Sequence, residues 1–224
     1  MDEPEVLPPR AAYDRWAPSY AQSGRNPLTR AGQDLLESLL PPLVDMDLLD
    51  LACGDGRWTE QALAAGARSC IAADFSAGML GAARARLPGA PLVAADMHRP
   101  PFRAESFDLV ILALALSHAR RPALVIDACA VLLRRAGRLA ILDLHPSAAE
   151  RGWHRSFRDE AGRRLAVAWQ PWSIDAVEDL MRSAGLDLEA RREVTLDPDR
   201  LPTPAPSSAS AGPALYALVA RRAP

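Results

Sequence analysis

Short apolar runs alternate with helical segments through the middle of the chain. Five runs of strand length are predicted, at Met46–Ala52, Ser69–Asp74, Leu92–Asp96, Asp108–Leu114 and Gly137–Leu144. Helices are predicted between them, from about Arg57 to Ala65, from a Ser76 cap to about Arg86, and from Pro122 to Leu133. Strands that alternate with helices are typical of βαβ units, so this region should form a parallel sheet with helices on both faces.

A different pattern precedes this region. One face of a predicted helix carries Tyr13, Trp16, Ala17 and Tyr20. Pro18 should then lie near an end of this helix or at a kink. Residues 33–40 form a second amphipathic stretch.

The pattern changes again after the fifth strand. Residues 145–172 are rich in His and aromatic side chains, with a turn expected at 159–162 between two short strands. Ser173 should cap a helix that stops at Gly185. Two final strands are predicted at Leu186–Leu196 and Ala214–Ala220, joined by a flexible surface loop at 197–213.

A turn of small residues joins the first predicted strand to its helix. The sequence there is Leu48-Leu49-Asp50-Leu51-Ala52-Cys53-Gly54-Asp55-Gly56-Arg57. Such a turn lets a ligand approach the backbone closely, and the helix offers free N–H groups at its start. Asp50, at the strand end, is placed to accept a hydrogen bond from a cationic group of that ligand.

Two further acids end the next two strands. Asp74 lies eighteen residues after Gly56, where an acid can accept hydrogen bonds from both hydroxyls of a ribose. Asp96 ends the third strand. Because open α/β sheets bind ligands at the carboxyl ends of their strands, the turn and the acids together indicate a ligand site at this edge.

Composition narrows the class of protein. The chain has 224 residues, of which 49% are hydrophobic and 24% charged, and this suits one globular domain with its own core. All 26 basic residues are Arg, which excludes a Schiff-base lysine and a Walker-type lysine. The net charge of -2 gives no reason to expect a nucleic-acid partner.

Other broad features are equally ordinary. No spacing of Cys and His fits a zinc site, so no metal is expected. The longest apolar run has eight residues, too few to span a membrane. The first residues lack the features of an export signal, which favours a cytoplasmic protein.

Motifs along the chain identify a family resemblance. They are Tyr13-Asp14-Arg15-Trp16-Ala17-Pro18-Ser19-Tyr20, Leu49–Gly56, Asp74–Leu80, Ala95-Asp96-Met97, Phe107-Asp108-Leu109-Val110 and Leu132–Leu139. Through them, nearly the whole chain resembles the class I S-adenosylmethionine-dependent methyltransferases. It is most similar to the small-molecule group called methyltransferase type 11, or ubiquinone/menaquinone methylase-like.

The resemblance implies a fold. This is an α/β fold with a Rossmann-like seven-stranded mixed sheet, helices on both faces and the first five strands parallel. The last hairpin would contribute one antiparallel strand, with Leu215–Ala220 inserted beside the fifth strand.

The resemblance also implies S-adenosyl-L-methionine as the cofactor. Its methionine half would be lined by Asp50, Ala52, Gly54 and Gly56. Its ribose diol would bind Asp74, and its adenine would lie among Phe75, Met79, Asp96 and Met97. Beneath the sulfonium would lie Ala113 and Leu114, and the N-terminal helix would cover the site with Tyr13 and Tyr20.

Two positions depart from the family pattern. Ala52 replaces the first glycine of the motif, where only a small residue is needed. Arg135-Ala136-Gly137 replaces the usual Pro-Gly-Gly before the fifth strand, in what should be a surface turn. A nicotinamide-binding fold is an alternative that fits worse, because the motif lacks the third glycine of a dinucleotide fingerprint.

Histidines are the candidate catalytic residues. Methyl transfer from a sulfonium is an in-line displacement, so the protein must mainly align the acceptor and exclude water. A general base is needed only for a hydroxyl, an acidic carbon or a protonated amine. His145, after the fifth strand, is the first candidate, with a helix cap or loop as its alternative role. His118, after the fourth, is the second, with support of the cofactor as its alternative.

Residues 145–172 are expected to form a lid over the acceptor. The candidate acceptor-binding residues are Trp153, His154, Trp169 and Trp172. The Trp side chains could instead pack in the core of the hairpin, and His154 could face water. If they face the cleft, the acceptor is apolar or aromatic. The Asp/Asn-Pro-Pro-Tyr/Phe signature of amino-group methylation is absent after the fourth strand, which disfavours amide and nucleobase acceptors.

These observations predict a cytoplasmic enzyme of one domain. Its parts would be an N-terminal helical cap (1–45), a cofactor-binding core (46–144), the lid (145–172) and a C-terminal helix and hairpin (173–224). It would methylate an oxygen or carbon of a small organic acceptor, and a homodimer is compatible with the sequence. The alternative is a protein that binds S-adenosylmethionine on the same fold but serves another reaction or an assembly role.

Overall fold

The computed structural model describes residues 4–23, 27–153, 155–196 and 212–223. The strands are β1 (Glu5–Leu7), β2 (Asp47–Leu51), β3 (Ser69–Asp74), β4 (Leu92–Ala94), β5 (Phe107–Ala113), β6 (Leu133–Leu144), β7 (Ser156–Arg158), β8 (Arg164–Val167), β9 (Leu186–Val194) and β10 (Leu215–Arg222). The helices are α1 (Pro9–Ser23), α2 (Pro27–Glu37), α3 (Arg57–Ala64), α4 (Ala77–Arg86), α5 (Pro122–Leu132), α6 (Pro146–Glu150) and α7 (Ile174–Ser183).

Seven strands form the main sheet, in the order β4-β3-β2-β5-β6-β10-β9. Strands β2 to β6 pair in parallel, whereas β10 is antiparallel to both of its neighbours, β6 and β9. The predicted Rossmann-like seven-stranded mixed sheet is therefore confirmed, with its last hairpin supplying the one antiparallel strand beside β6.

Helices cover both faces of this sheet. Because successive side chains of a strand point to opposite faces, Leu48 packs with α2 and α3 while Leu49 packs with α5 and α7. Strands buried on both faces must be apolar throughout, which explains the continuous apolar runs in the sequence. The predicted Ser76 and Ser173 caps are both formed, since their hydroxyl oxygens accept hydrogen bonds from Met79 N and Ala176 N.

A second sheet lies over the first helix. It has three strands in the order β1-β8-β7, and the sequence analysis did not predict β1. Its apolar side chains bury one face of α1, where the Trp16 ring stacks on Phe157 with centroids 4.8 Å apart. We call β1, α1, β7 and β8 together the cover, because they pack as one apolar cluster.

Three local expectations differ from the structure. Helix α1 continues past Pro18, which lies in the interior of the helix rather than near an end. Helix α2 begins at Pro27, earlier than expected, with proline in the first position that tolerates it. The expected surface turn at 135–137 lies within β6 as an irregularity in its pairing with β5, and Ala136 there has a φ of 61°.

The cover rests on the N-terminal turn of α4. The Asp14 carboxylate accepts hydrogen bonds from the Ser76 hydroxyl (2.5 Å) and from Gly78 N (3.1 Å). A Cβ atom at Gly78 would lie 2.9 Å from Ala17 Cβ and 3.1 Å from the backbone of Asp14. Glycine at position 78 therefore allows the close approach of α1 to α4.

Within the described ranges, no helix combines the length and apolar character that crossing a membrane requires. His154, and residues 197–211 of the loop that was expected at 197–213, lie outside the described residues.

Alanine at position 78 should separate α1 from α4. We expect Gly78→Ala to lower the free energy of unfolding by about 1–3 kcal/mol, as overpacking of tight contacts does. Gly81→Ala is the matched control on the same helix, because a Cβ there meets nothing within 4 Å. It should be neutral or stabilising by up to about 1 kcal/mol. Urea unfolding measures both, and equal stabilities would contradict the close contact at Gly78.

Candidate active site

A cleft of about 500 Å³ lies at the carboxyl ends of the central strands, beneath α1. Its size is within the range of small-molecule sites. The predicted site residues that line it are Tyr13, Tyr20, Ala52, Gly54, Asp74, Phe75, Met79, Asp96, Met97, Ala113, Leu114 and His118. The remaining predicted residues that the structure describes do not line this cleft: Asp50, Gly56, His145, Trp153, Trp169 and Trp172.

The turn after β2 exposes backbone to the cleft. Ala52 and Gly54 have φ values of 58° and 56°, in the left-handed region. A Cβ at Gly54 would meet no protein atom within 4 Å, so the space beside it is free for a ligand. The expectation that position 52 needs only a small residue is incomplete, because alanine in this conformation costs about 1–2 kcal/mol.

Gly56 serves the fold rather than the cleft. Its φ is 77°, and a Cβ there would lie 3.0 Å from Leu87 Cδ1 and 3.3 Å from Ala83 Cβ. Glycine thus lets the start of α3 pack against the end of α4.

The Asp74 carboxylate lies at the tip of β3, on the wall of the cleft. Its oxygens accept hydrogen bonds from Gly54 N (2.9 Å) and Ser76 N (2.8 Å). Burial raises the pKa of Asp74, and these two N–H donors oppose the rise. A carboxylate has about four acceptor positions, so Asp74 keeps acceptor capacity for the hydroxyls of a ligand.

Asp50 points away from the cleft, into the protein. One of its oxygens accepts hydrogen bonds from Thr59 N (3.0 Å) and from the Thr59 hydroxyl (2.8 Å). Burial raises the pKa of Asp50 to about 7. The side chain therefore ties the first turn of α3 to the end of β2.

His118 and Tyr13 meet on the cleft wall. His118 Nδ1 lies 2.9 Å from the Ala168 carbonyl oxygen, so Nδ1 carries the hydrogen and Nε2 is the acceptor. The Tyr13 hydroxyl lies 3.0 Å from that Nε2 atom. Burial and the nearby Arg155 lower the pKa of His118 to about 3, while burial raises the pKa of Tyr13. At neutral pH His118 is therefore an uncharged and weakly basic imidazole, and Tyr13 is an uncharged phenol.

Arg155 lies within hydrogen-bond distance of both Tyr13 and His118, and the sequence analysis did not identify it. Its Nη1 atom lies 2.6 Å from Tyr13 Oη, 2.9 Å from the Leu114 carbonyl oxygen and 3.2 Å from His118 Nε2. No local motif marks this residue, because its partners lie far away in the sequence.

His145 is the N-cap of α6. Its Nδ1 accepts a hydrogen bond from Ser147 N, and its Nε2 lies 3.1 Å from a Glu193 carboxylate oxygen. Pro146 occupies the first position of the helix, where proline is favoured. The structure thus shows the helix-cap alternative, and it gives no support to His145 as a base.

The lid tryptophans pack elsewhere. Trp169 packs with the cluster under α2 and α3, Trp172 packs with the cluster under α5 and α7, and Arg151 lies over the Trp153 ring at 5.8 Å. The aromatic side chains that reach the cleft come from α1 instead, as Tyr13 and Tyr20.

The sheet order, the glycine turn and Asp74 together define the class I methyltransferase fold. A family model described as "Methyltransferase domain" matches residues 49–141. Residues 49–141 thus match a methyltransferase domain, and the chain has the fold of the class I S-adenosylmethionine-dependent methyltransferases.

Individual proteins are similar to it at different levels. A demethylmenaquinone methyltransferase from Mycobacterium sp. (strain KMS) is 41% identical over 143 residues, which are 64% of this chain and 55% of that protein. The chain therefore spans about half the length of the curated relatives it matches.

Two solved structures share the fold at lower identity. An S-adenosylmethionine-dependent methyltransferase from Mesorhizobium loti has a TM-score of 0.68 at 22% identity, covering 84% of this chain and 96% of that one. The N-methyltransferase NodS from Bradyrhizobium japonicum WM9, in complex with S-adenosyl-L-homocysteine, has a TM-score of 0.70 at 18% identity, covering 96% and 99%.

Asp50 should make stability depend on pH. Its pKa is about 7 in the folded chain against an ordinary 3.8, so between these values the folded state holds a proton that the unfolded chain has released. The free energy of unfolding should therefore fall as pH rises from about 4 to about 7.

Replacing this carboxyl tests the dependence. Asp50→Asn keeps an acceptor for Thr59 but cannot ionise. The variant should therefore lose the pH-dependent fall in the free energy of unfolding, which is on the order of a few kcal/mol in the wild type. Urea unfolding across this pH range measures it, with Asp179→Asn on the exposed face of α7 as control. Parallel pH profiles for wild type and Asp50→Asn would contradict the assignment.

Proposed function

We propose that the chain binds S-adenosylmethionine in this cleft and transfers its methyl group to an oxygen or carbon of a small, apolar or aromatic organic acceptor. The observation that carries the proposal is the Asp74 carboxylate, fixed by two backbone N–H groups with acceptor positions left for a ribose diol. The proposal includes the one-domain division made from the sequence, a cytoplasmic location and a small-molecule rather than a nucleic-acid acceptor.

The residues around Asp74 fit the rest of the cofactor. The free space at Gly54 suits the methionine half, which would lie against the backbone of the turn. Phe75, Met79 and Met97 offer apolar surface on which an adenine ring can lie. Asp96 offers a carboxylate edge beside them, and its pKa, which partial burial would raise, is lowered by hydrogen bonds from the His98 backbone and ring.

The cofactor supplies an activated methyl group on a sulfonium, and the chain has to align the acceptor. Tyr13 and Tyr20 from α1 lie on the cover side of the cleft, where they restrict water. The pKa of His118 is lowered and that of Tyr13 is raised, so neither residue is suited to take a proton from the acceptor near neutral pH. This favours transfer by alignment of the acceptor. The relatives' named substrate, demethylmenaquinone, supports an aromatic acceptor.

Removing the Asp74 carboxylate should weaken cofactor binding. Two hydrogen bonds to a charged acceptor would be lost, so Asp74→Ala should bind S-adenosylhomocysteine about ten- to a hundred-fold more weakly. Calorimetric titration measures the affinity, with thermal unfolding to verify the fold. Asp179→Asn should bind as the wild type does, and an unchanged affinity of Asp74→Ala would reject the ribose assignment.

Transfer itself is tested with methyl-labelled S-adenosylmethionine and an extract of the source cells. Accumulation of S-adenosylhomocysteine together with a labelled small molecule, both lost in Asp74→Ala, is the expected result. Binding of the cofactor without any transfer would favour the alternative, a protein that uses the same fold for another reaction or for assembly.

A further inference from the structure

Arg155 carries a positive charge to the back of the cleft without a carboxylate partner. The acceptors of its Nη1 hydrogen bonds are a phenol, a carbonyl and an imidazole, all neutral. Among the described residues, no carboxylate oxygen forms an ion pair with it within 4.0 Å. A guanidinium that is partly buried without an anionic partner is energetically costly, and an anionic ligand would offset that cost.

The acid whose charge acts on Arg155 is Asp143, and it already accepts hydrogen bonds from other groups. The Asp143 carboxylate accepts hydrogen bonds from Ser117 N (2.8 Å), the Ser117 hydroxyl (3.0 Å) and Leu144 N (2.7 Å). Burial raises the pKa of Asp143, and the positive charge of Arg155 opposes that rise. Asp143 therefore acts on Arg155 through its charge at a distance, without an ion pair to the guanidinium.

The hydrogens around Tyr13 can be shared in two ways. Arg155 Nη1 has two hydrogens and three acceptors within 3.2 Å. The Tyr13 hydroxyl hydrogen can point to His118 Nε2, but it can also turn towards the cleft, because Arg155 Nη1 is within reach of the same Nε2 atom. In the turned arrangement the two Nη1 hydrogens face three acceptors, so turning is favourable only when a ligand accepts the hydrogen of the Tyr13 hydroxyl.

We propose that Arg155 is a positioning residue that holds the Tyr13 hydroxyl as a donor to an acceptor bound as an oxyanion, such as a phenolate or an enolate. The inference rests on the proposed function and names the acceptor class for the same site. Tyr13 lines the cleft and would touch the ligand, whereas Arg155 acts through it, one hydrogen bond of 2.6 Å away.

The structure agrees with an acceptor that arrives ionised. The negative charge of the acceptor would interact with the Arg155 guanidinium through the neutral Tyr13 hydroxyl. Because the pKa of His118 is low, its Nε2 atom stays unprotonated and can accept a hydrogen bond from Arg155. The oxyanion oxygen is then fixed at Tyr13, in the cleft that Ala113 and Leu114 also line.

The test compares two probes of similar shape in the full chain. Para-nitrophenol, at a pH where it is fully ionised, carries an oxyanion, and nitrobenzene does not. Wild-type protein should bind the phenolate about ten-fold or more tightly than nitrobenzene, because a hydrogen bond to a charged group is the stronger one. Equal affinity for the two probes, or no binding of the phenolate, would overturn the proposal.

Variants assign the preference to the two residues. Tyr13→Phe removes only a hydroxyl and should reduce phenolate affinity about ten- to a hundred-fold, while nitrobenzene affinity stays the same. Arg155→Gln should do likewise, and Arg155→Lys should restore part of the preference by returning the charge. A phenolate preference that survives Tyr13→Phe would overturn the proposal even if Arg155→Gln failed to fold.

The control keeps the change of charge and moves it away from the cleft. Arg158 lies in β7, exposed, with its guanidinium on the Gly162 carbonyl oxygen, so Arg158→Gln should keep the full phenolate preference. Failure of the proposed function would appear separately, as an absence of S-adenosylmethionine binding or of methyl transfer in a protein that still prefers the phenolate.

Discussion

The carboxylate of Asp74 joins the three parts of the molecule that enclose the cleft. It accepts one hydrogen bond from the turn after β2 and one from Ser76 at the start of α4. The Ser76 hydroxyl accepts from Met79 N and donates to Asp14 on α1. The glycine turn, the helix cap and the cover are thus connected through a single hydrogen-bond network that passes through one side chain.

Buried acids at one edge of the sheet are a consequence of its topology. Parallel strands bring their carboxyl ends to the same side, so Asp50, Asp74 and Asp143 all lie at that edge, each nearly inaccessible to solvent. Burial raises the pKa of all three. Sites that bind ligands commonly perturb pKa values in this way. Here the cost falls on stability, since each acid gives up hydration that backbone and hydroxyl donors only partly replace.

Local patterns were sufficient for the parallel strands of the main sheet and for the glycine turn and Asp74, whereas the place of β10 was inferred from the family resemblance. The period of the apolar runs, the Ser76 cap and the acids at strand ends are all encoded within a few residues, and parallel pairing then fixes the edge on which they meet. Arg155 could not be found in this way, because Tyr13 lies 142 residues away from it. For His145 a local signal existed, since proline directly after it favours a helix cap.

The pairing of β1 with β8 also constrains the order in which the molecule assembles. Leu7 pairs with Val167, so about 160 residues must be synthesised before the first strand can find its partner. Strands β2 to β5, which carry the floor of the cleft, emerge from the ribosome well before that point. During synthesis the strands around the cleft can therefore form before the cover does. Strand β1 has an unpaired edge until β8 has been synthesised.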